Sequence, residues 1–263
     1  MIIPTKNSEM TIEGCLESIK KQSYLNLETI VVDKFSKDRT KEIAAKFSAK
    51  IIESQAGMSH ARNVGIEKAK GDLLLCIDSD MELTGGVVKE CVQEIRSGHD
   101  AIVIPETSVG IGFWARCKIL EKICYLDDEQ VEASRFFKRD ILMRLEGYDS
   151  ELEFGEDKDL HLRLMMNGFQ IGRIHACIIH NEGRLSLKKT FQRKYRYGKT
   201  LSLYAKKHPN EAKMQLRIIR PAFVRNWKLL VRDPLHGIGM MFMKACEFAS
   251  IEIAYLTSWR GKK

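Results

Sequence analysis

The stretch Asp72-Leu73-Leu74-Leu75-Cys76-Ile77-Asp78-Ser79-Asp80 decides the fold class. Its central residues are apolar without alternation, the pattern of a strand buried on both faces, as in parallel sheets covered by helices. The two carboxylates at alternate positions then stand at the strand's carboxyl end, where open α/β sheets bind ligands. Upstream, helical spacing is expected over 59–69, and a short strand over 50–53. Earlier still come a helix over 38–47, a strand over 27–33 ending on Asp33, and a helix marked by Ile12, Cys15, Leu16 and Ile19. Downstream, a helix over 86–97 and a strand over 101–104 lead into a less regular stretch reaching 131. A strand over 135–138, a helix over 160–166 and an apolar strand over 171–179 follow. From Ser186 the chain reads as helices interrupted near Pro209, Pro221 and Pro234. The expected fold is α/β, with a mostly parallel central sheet and a C-terminal helical extension.

Composition narrows the class. At 263 residues, 44% hydrophobic and 30% charged, the chain has the makeup of a folded domain rather than a disordered one. Charges interrupt the apolar tracts well before the ~18 residues of a membrane-spanning helix, and Met1-Ile2-Ile3-Pro4 carries no signal-peptide pattern. Seven scattered cysteines without a C-x-x-C pair argue for a reducing cytoplasm rather than a disulfide framework. Charge is concentrated: Arg184 to Arg232 holds 15 Lys and Arg against one acid, Glu211, while the rest holds 28 bases and 34 acids. A basic arm on an acidic body calls for an anionic partner.

In the last helix, Phe242, Cys246, Ala249, Ile253 and Leu256 fall on one face, and Lys244, Glu247 and Glu252 on the other. That face either docks on the core or lies on a membrane. Phe223, Trp227, Met240, Met241, Phe242, Met243 and Trp259, interleaved with Lys and Arg, have the composition of interfacial helices on anionic lipid.

Asp78-Ser79-Asp80 offers two carboxylates able to hold Mg²⁺ or Mn²⁺ against nucleotide phosphates. Upstream lie Gly57-Met58-Ser59-His60-Ala61-Arg62-Asn63-Val64-Gly65 and Ala69-Lys70-Gly71-Asp72. In this order the motifs resemble those of the family 2 glycosyltransferases. The resemblance extends to Ile3-Pro4-Thr5-Lys6-Asn7, to Val31-Val32-Asp33 with Ser36, Asp38 and Thr40, and to Gly147-Tyr148-Asp149. It takes in Glu156-Asp157 with Arg163, spanning roughly residues 2–200.

The resemblance implies a GT-A fold and inverting transfer of a sugar from a UDP- or GDP-linked donor, with a divalent metal. It places Pro4, Thr5, Asn7 and Asp33 around the nucleoside, and Arg62 either on the donor phosphates or on the D-S-D loop. Asp80 is the first metal ligand, Asp78 lies near the ribose or the metal, and His180 completes the metal site. Asp157, beside Glu156 at a helix N-terminus, is the general base toward an acceptor hydroxyl on a lipid-linked or surface glycan. A polyprenyl phosphate would arrive ionised and need no base, which makes it the alternative acceptor. His175 reads as structural. The implied division is 1–205 for the transferase domain, with a nucleotide-sugar half at 1–100 and an acceptor half at 101–205, and 206–263 for the basic extension. Such a chain would sit peripherally on the inner face of the cell membrane. From another class, the basic arm with Tyr195, Tyr197 and Tyr204 could bind nucleic acid, but no nucleic-acid module accompanies it.

Overall fold

The computed structural model describes the chain apart from residues 56, 129, 130, 216, 218 and 261–263, and apart from the side chains of residues 215 and 258–260. In chain order the elements are β1 (Ile2–Thr5), α1 (Ile12–Lys20), β2 (Ile30–Asp33), α2 (Thr40–Lys46), β3 (Lys50–Glu53), α3 (Met58–Lys68), β4 (Leu73–Leu75), β5 (Met81–Leu83), α4 (Val87–Arg96) and β6 (Ala101–Val103). Then come β7 (Glu106–Ile111), α5 (Phe113–Cys124), β8 (Ser134–Lys138), α6 (Arg139–Arg144), α7 (Glu156–Met166), β9 (Ile171–Arg173) and β10 (Ile178–Arg184). The chain ends in α8 (Leu187–Lys207), α9 (Pro209–Gln215), α10 (Pro221–Arg225), α11 (Trp227–Arg232) and α12 (Pro234–Arg260).

Two compact units emerge. The first comprises Met1–Glu106, Ala133–Ser150 and Glu156–Asn181; the second comprises Thr107–Glu132, Glu151–Gly155 and Glu182–Lys263. The break expected near 205 falls inside α8, which belongs with α5 and α12 to the second unit.

In the first unit β1, β2 and β3 pair in parallel, with Thr5 level with Asp33. A parallel bridge from Ile2 to Cys76 sets the end of β4 beside β1. Beyond β4 come β8, antiparallel to both β4 and β6, and then β9, parallel to β6. The apolar runs bury as expected: Ile2, Ile3, Ile30, Val31, Leu74, Leu75 and Ile77 are all buried. Such burial is the main favourable term, at about 25 cal/mol per Å² of apolar surface. The single strand expected over 171–179 is two: β9, and β10, which pairs antiparallel with β5 so that His180 lies level with Met81. The stretch read as irregular up to 131 contains β7 and α5.

One close approach fixes how α3 lies on the sheet. A Cβ on Gly65 would run into the side chain of Ile2, so the glycine lets the helix sit down on β1.

In the second unit, the first of the two alternatives for the apolar face of α12, docking on the core, does not hold. Phe242, Ala249, Ile253 and Leu256 are exposed and Cys246 is partly so, while Lys244 and Glu247 are only 5% and 2% exposed. The apolar face therefore does not dock on the core. The reason is a buried ion network. Lys244 Nζ lies 2.9 Å from Glu121 Oε1 and 3.0 Å from Glu247 Oε2. Lys118 Nζ lies 2.8 Å from Glu121 Oε2 and 3.5 Å from Glu247 Oε1. Burial opposes the Glu247 charge, but Lys118, Lys194 and Lys244 outweigh it and hold the carboxyl at about 2. Around this network Phe223, Met240 and Met243 are core residues, so of the tail residues expected at an interface only Trp227 and Phe242 are well exposed. The side chain of Trp259 lies outside the described residues.

Gly65→Ala is expected to destabilise the protein by about 1–3 kcal/mol through overpacking. Adding Ile2→Ala should cost less in that background than in wild type. Denaturant unfolding of the four proteins of the cycle checks this, and strictly additive costs would rule out the contact as the cause.

Candidate active site

At the carboxyl ends of β1, β2 and β4 three loops converge, and the ionisable residues sit on or beside them. Asp33 ends β2 and is fully buried. Its carboxylate accepts from the backbone N–H of Ser36 at 2.8 Å and from the Ser36 hydroxyl. Asn7 belongs to the same structure: its N–H donates to Ser36 Oγ at 2.8 Å, and its Oδ1 accepts from the Lys37 N–H at 3.0 Å. These two residues, expected around a nucleoside, hold the loop over residues 34–37 at the end of β2. Pro4 and Thr5 close β1 beside them, buried, and Thr5 Oγ1 makes no hydrogen bond among the described residues.

Arg62 lies at the centre. Its side chain is 1% exposed and its guanidinium meets three carboxylates: Asp78 Oδ1 at 2.8 Å, Glu156 Oε1 at 3.1 Å and Asp157 Oδ1 at 3.1 Å. The Tyr148 ring lies 5.1 Å away, within cation–π distance. So enclosed, Arg62 is not placed to meet donor phosphates; it holds the D-S-D loop to the start of α7. Asp78, expected near the ribose or the metal, turns its Oδ1 to Arg62. Burial works against the Asp78 charge, but Arg62 and Arg135 outweigh it and keep the carboxyl below the usual range.

The short motifs around this centre brace one another. The Asn63 amide takes the Tyr148 N–H at 2.8 Å and donates to the Tyr148 carbonyl at 2.7 Å, so it clamps the Gly147-Tyr148 turn from both sides. Gly147 has φ +66°, and a Cβ there would strike Asn63 Oδ1, so both conformation and space require glycine. From α7, Arg163 donates to the carbonyls of Leu145 and Gly147, each at 2.6 Å, and to Asp159 at 2.8 Å.

Asp80 and His180 form a separate pair. The loop before β5 brings Asp80 Oδ2 to 3.3 Å from His180 Nε2, and the Asp80 side chain remains 40% exposed. On its other side, His180 Nδ1 is 3.8 Å from Glu106 Oε1. Sequence reasoning missed Glu106 and Arg135. Arg135 Nη2 lies 3.3 Å from Glu106 and Nη1 3.8 Å from Asp157 Oδ2, making it the second cation of the cluster. The signal was present in the form of an arginine inside an apolar strand, Ser134-Arg135-Phe136-Phe137. His175 is apart from all this; its backbone N–H donates to Glu90.

The sequence model described as Glycosyl transferase family 2 matches residues 1–148, more than half of the chain. The chain belongs to this family. The family match covers Arg62, Asp78 and Asp80 and stops short of Glu156, Asp157 and His180. Among relatives, the chain is 30% identical over 111 residues to the glycosyltransferase GlyG of Streptococcus pneumoniae, covering 40% of this chain and 37% of that protein. The matched length is thus little more than a third of that relative. Two solved structures share the GT-A fold. TarS 1–349 of S. aureus in complex with UDP-GlcNAc has TM-score 0.58 and 16% identity, covering 99% of this chain and 91% of that one. Mannosyltransferase PcManGT from Pyrobaculum calidifontis, in complex with GDP-Man and Mn²⁺, has TM-score 0.66 and 17% identity, covering 97% and 86%. This family 2 chain therefore carries the GT-A architecture through α7 and β10 as well.

Within the cluster Glu156 is the group whose proton is most affected. Burial first, and then the Asp157 charge, push its carboxyl up to about 7 against the pull of Arg62. A carboxyl that binds its proton more tightly when folded withdraws stability as pH rises through that range. Glu156→Gln fixes the neutral form. Its melting temperature relative to wild type should therefore be higher near ~pH 8 than near ~pH 5, and an equal difference at both would remove the assigned shift.

Proposed function

We propose that the protein is an inverting, metal-dependent glycosyltransferase that moves a sugar from a UDP- or GDP-linked donor to a hydroxyl of a lipid-linked or surface glycan. The observation that carries this reading is the juxtaposition of an open Asp80–His180 pair with a carboxylate cluster locked by Arg62. TarS bound to UDP-GlcNAc and PcManGT bound to GDP-Man support the donor class.

Two residues fit a divalent metal. Among the described residues no group of three or more His, Cys, Asp or Glu could hold one, so a metal here would take Asp80 and His180 from the protein and its remaining ligands from the donor diphosphate and water. One carboxylate oxygen and one imidazole nitrogen suit Mn²⁺ better than Mg²⁺, which prefers an all-oxygen shell. When bound, the metal would neutralise charge on the departing nucleoside diphosphate.

The chain's own residues supply the rest. Asp157, at the first turn of α7, keeps its carboxylate partly exposed between Arg62 and Arg135 and accepts the proton of the attacking hydroxyl. Arg62 and Arg135 fix its direction, so the base needs no reorganisation when the hydroxyl arrives. Glu156 lies against Arg62 and acts as a neighbour of the base rather than as a second nucleophile. A single base on one side of the sugar gives inversion, in contrast to double displacement, where a second carboxylate attacks. Thr5 Oγ1, buried and without a hydrogen bond among the described residues, is available to a polar group of the nucleoside.

The first experiment is a thermal-shift screen of UDP, GDP and their sugars with and without Mn²⁺. A ligand present at a hundredfold its Kd should stabilise the fold by about 2.7 kcal/mol. Wild type should respond to one nucleotide with metal present, and Asp80→Ala should lose the metal-dependent part of the shift. Response to no nucleotide would overturn the reading. Asp157→Asn should keep the donor shift while transfer falls by about 10²–10⁴-fold; retained transfer would reassign the base.

A further inference from the structure

Within the second unit, Val224, Trp227, Val231, Leu235, Ile238 and Phe242 recur every three or four residues across α10, α11 and the start of α12. Each is more than half exposed, from 54% at Trp227 to 73% at Ile238. Exposed apolar side chains in ones and twos are ordinary, but six so close together on three consecutive helices mark an interaction surface. Directly after the first three of them stand Arg225, Lys228 and Arg232, all exposed, with Arg225 lying 3.9 Å from Asp128. Between Ile219 and Met243 the one acid is Asp233, and its carboxylate is engaged by His236 Nδ1 at 2.8 Å.

On α12, Lys244 and Glu247 turn inward with Met240 and Met243, and Leu235, Ile238 and Phe242 are left on the surface. Charge identifies the occupant. Helices that lie on a bilayer combine large apolar residues with Lys and Arg that meet anionic headgroups, the composition of this face. Among the described residues no helix is long and apolar enough to cross a membrane, which fits a surface that lies on lipid rather than through it.

We infer that α10, α11 and the exposed face of α12 form a docking surface for an anionic phospholipid bilayer, with Trp227, Leu235, Ile238 and Phe242 entering the acyl boundary and Arg225, Lys228 and Arg232 meeting headgroups. This goes beyond the transfer chemistry and stands independently of it.

The test uses the full chain and sucrose-loaded vesicles of phosphatidylglycerol mixed with phosphatidylcholine, against phosphatidylcholine alone. Wild type should sediment with the anionic vesicles and stay in solution with the neutral ones. Neutralising Arg225, Lys228 and Arg232 to Gln together should lower the partition coefficient by about a hundredfold, at roughly fivefold per charge. Leu235→Ser with Ile238→Ser and Phe242→Ser should abolish binding, and Leu235→Ser with Ile238→Ser alone, at the two most exposed positions, should weaken it with an unchanged melting temperature. Independently of that variant's folding, brominated lipids should quench wild-type tryptophan emission, and Trp227→Phe should remove part of the quenching. Failure of wild type to bind the anionic vesicles overturns the inference. So does a dimer in light scattering that the triple serine variant dissolves, since the face would then belong to a second copy.

Discussion

The first unit is organised by one buried guanidinium. Arg62 gives up its hydration, and what makes that tolerable is the fork geometry that lets it face Asp78, Glu156 and Asp157 together. A lysine would present a single point charge and could not hold three carboxylates from two elements. Breaking a buried network of this kind leaves uncompensated charge and typically costs 3–5 kcal/mol. The arrangement is therefore hard to alter piecemeal. Even with Arg135 added, two cations face Asp78, Glu106, Glu156 and Asp157, so the cluster holds a surplus of negative charge. That surplus is expressed in Glu156, which keeps its proton toward neutrality.

The second unit solves a similar problem in a different place. Lys118, Glu121, Lys244 and Glu247 bury both signs of charge between α5 and α12, and Lys194 of α8 lies 3.9 Å from Glu247. Burial and the neighbouring lysines bring Lys194 down to about 7, with Glu247 pulling against them. Buried pairs of this sort contribute less to stability than to register. Here they select which side of α12 faces inward.

Much of the first unit was legible in the sequence because its signals are local. Unalternating apolar runs marked β2 and β4, and the carboxylates directly after them marked the sheet's binding edge. Motif order then carried the family. What stayed hidden depends on partners far along the chain. That Asp33 also anchors Ser36 only the fold of the loop could reveal. Glu106 and Arg135 join the site by strand pairing, and no spacing rule connects them to Asp157. Helical patterning alone could not decide between the two readings of α12, because it assumes charges seek water, and Lys244 finds its compensation in Glu121, more than a hundred residues earlier.

The pairing of β5 with β10 has a consequence for biosynthesis. By the time the ribosome has released Asp80, the chain already carries β1 to β4, yet β8, which pairs with β4, and α7, which occupies Arg62, are still unmade. Asp80 meets His180 only after a further hundred residues have emerged. An emerging amino-terminal half would expose an unpaired strand edge and an uncompensated arginine, the features that invite aggregation. Such a protein favours late, concerted consolidation over stepwise folding from its amino terminus, with contact order rather than helix propensity setting the pace.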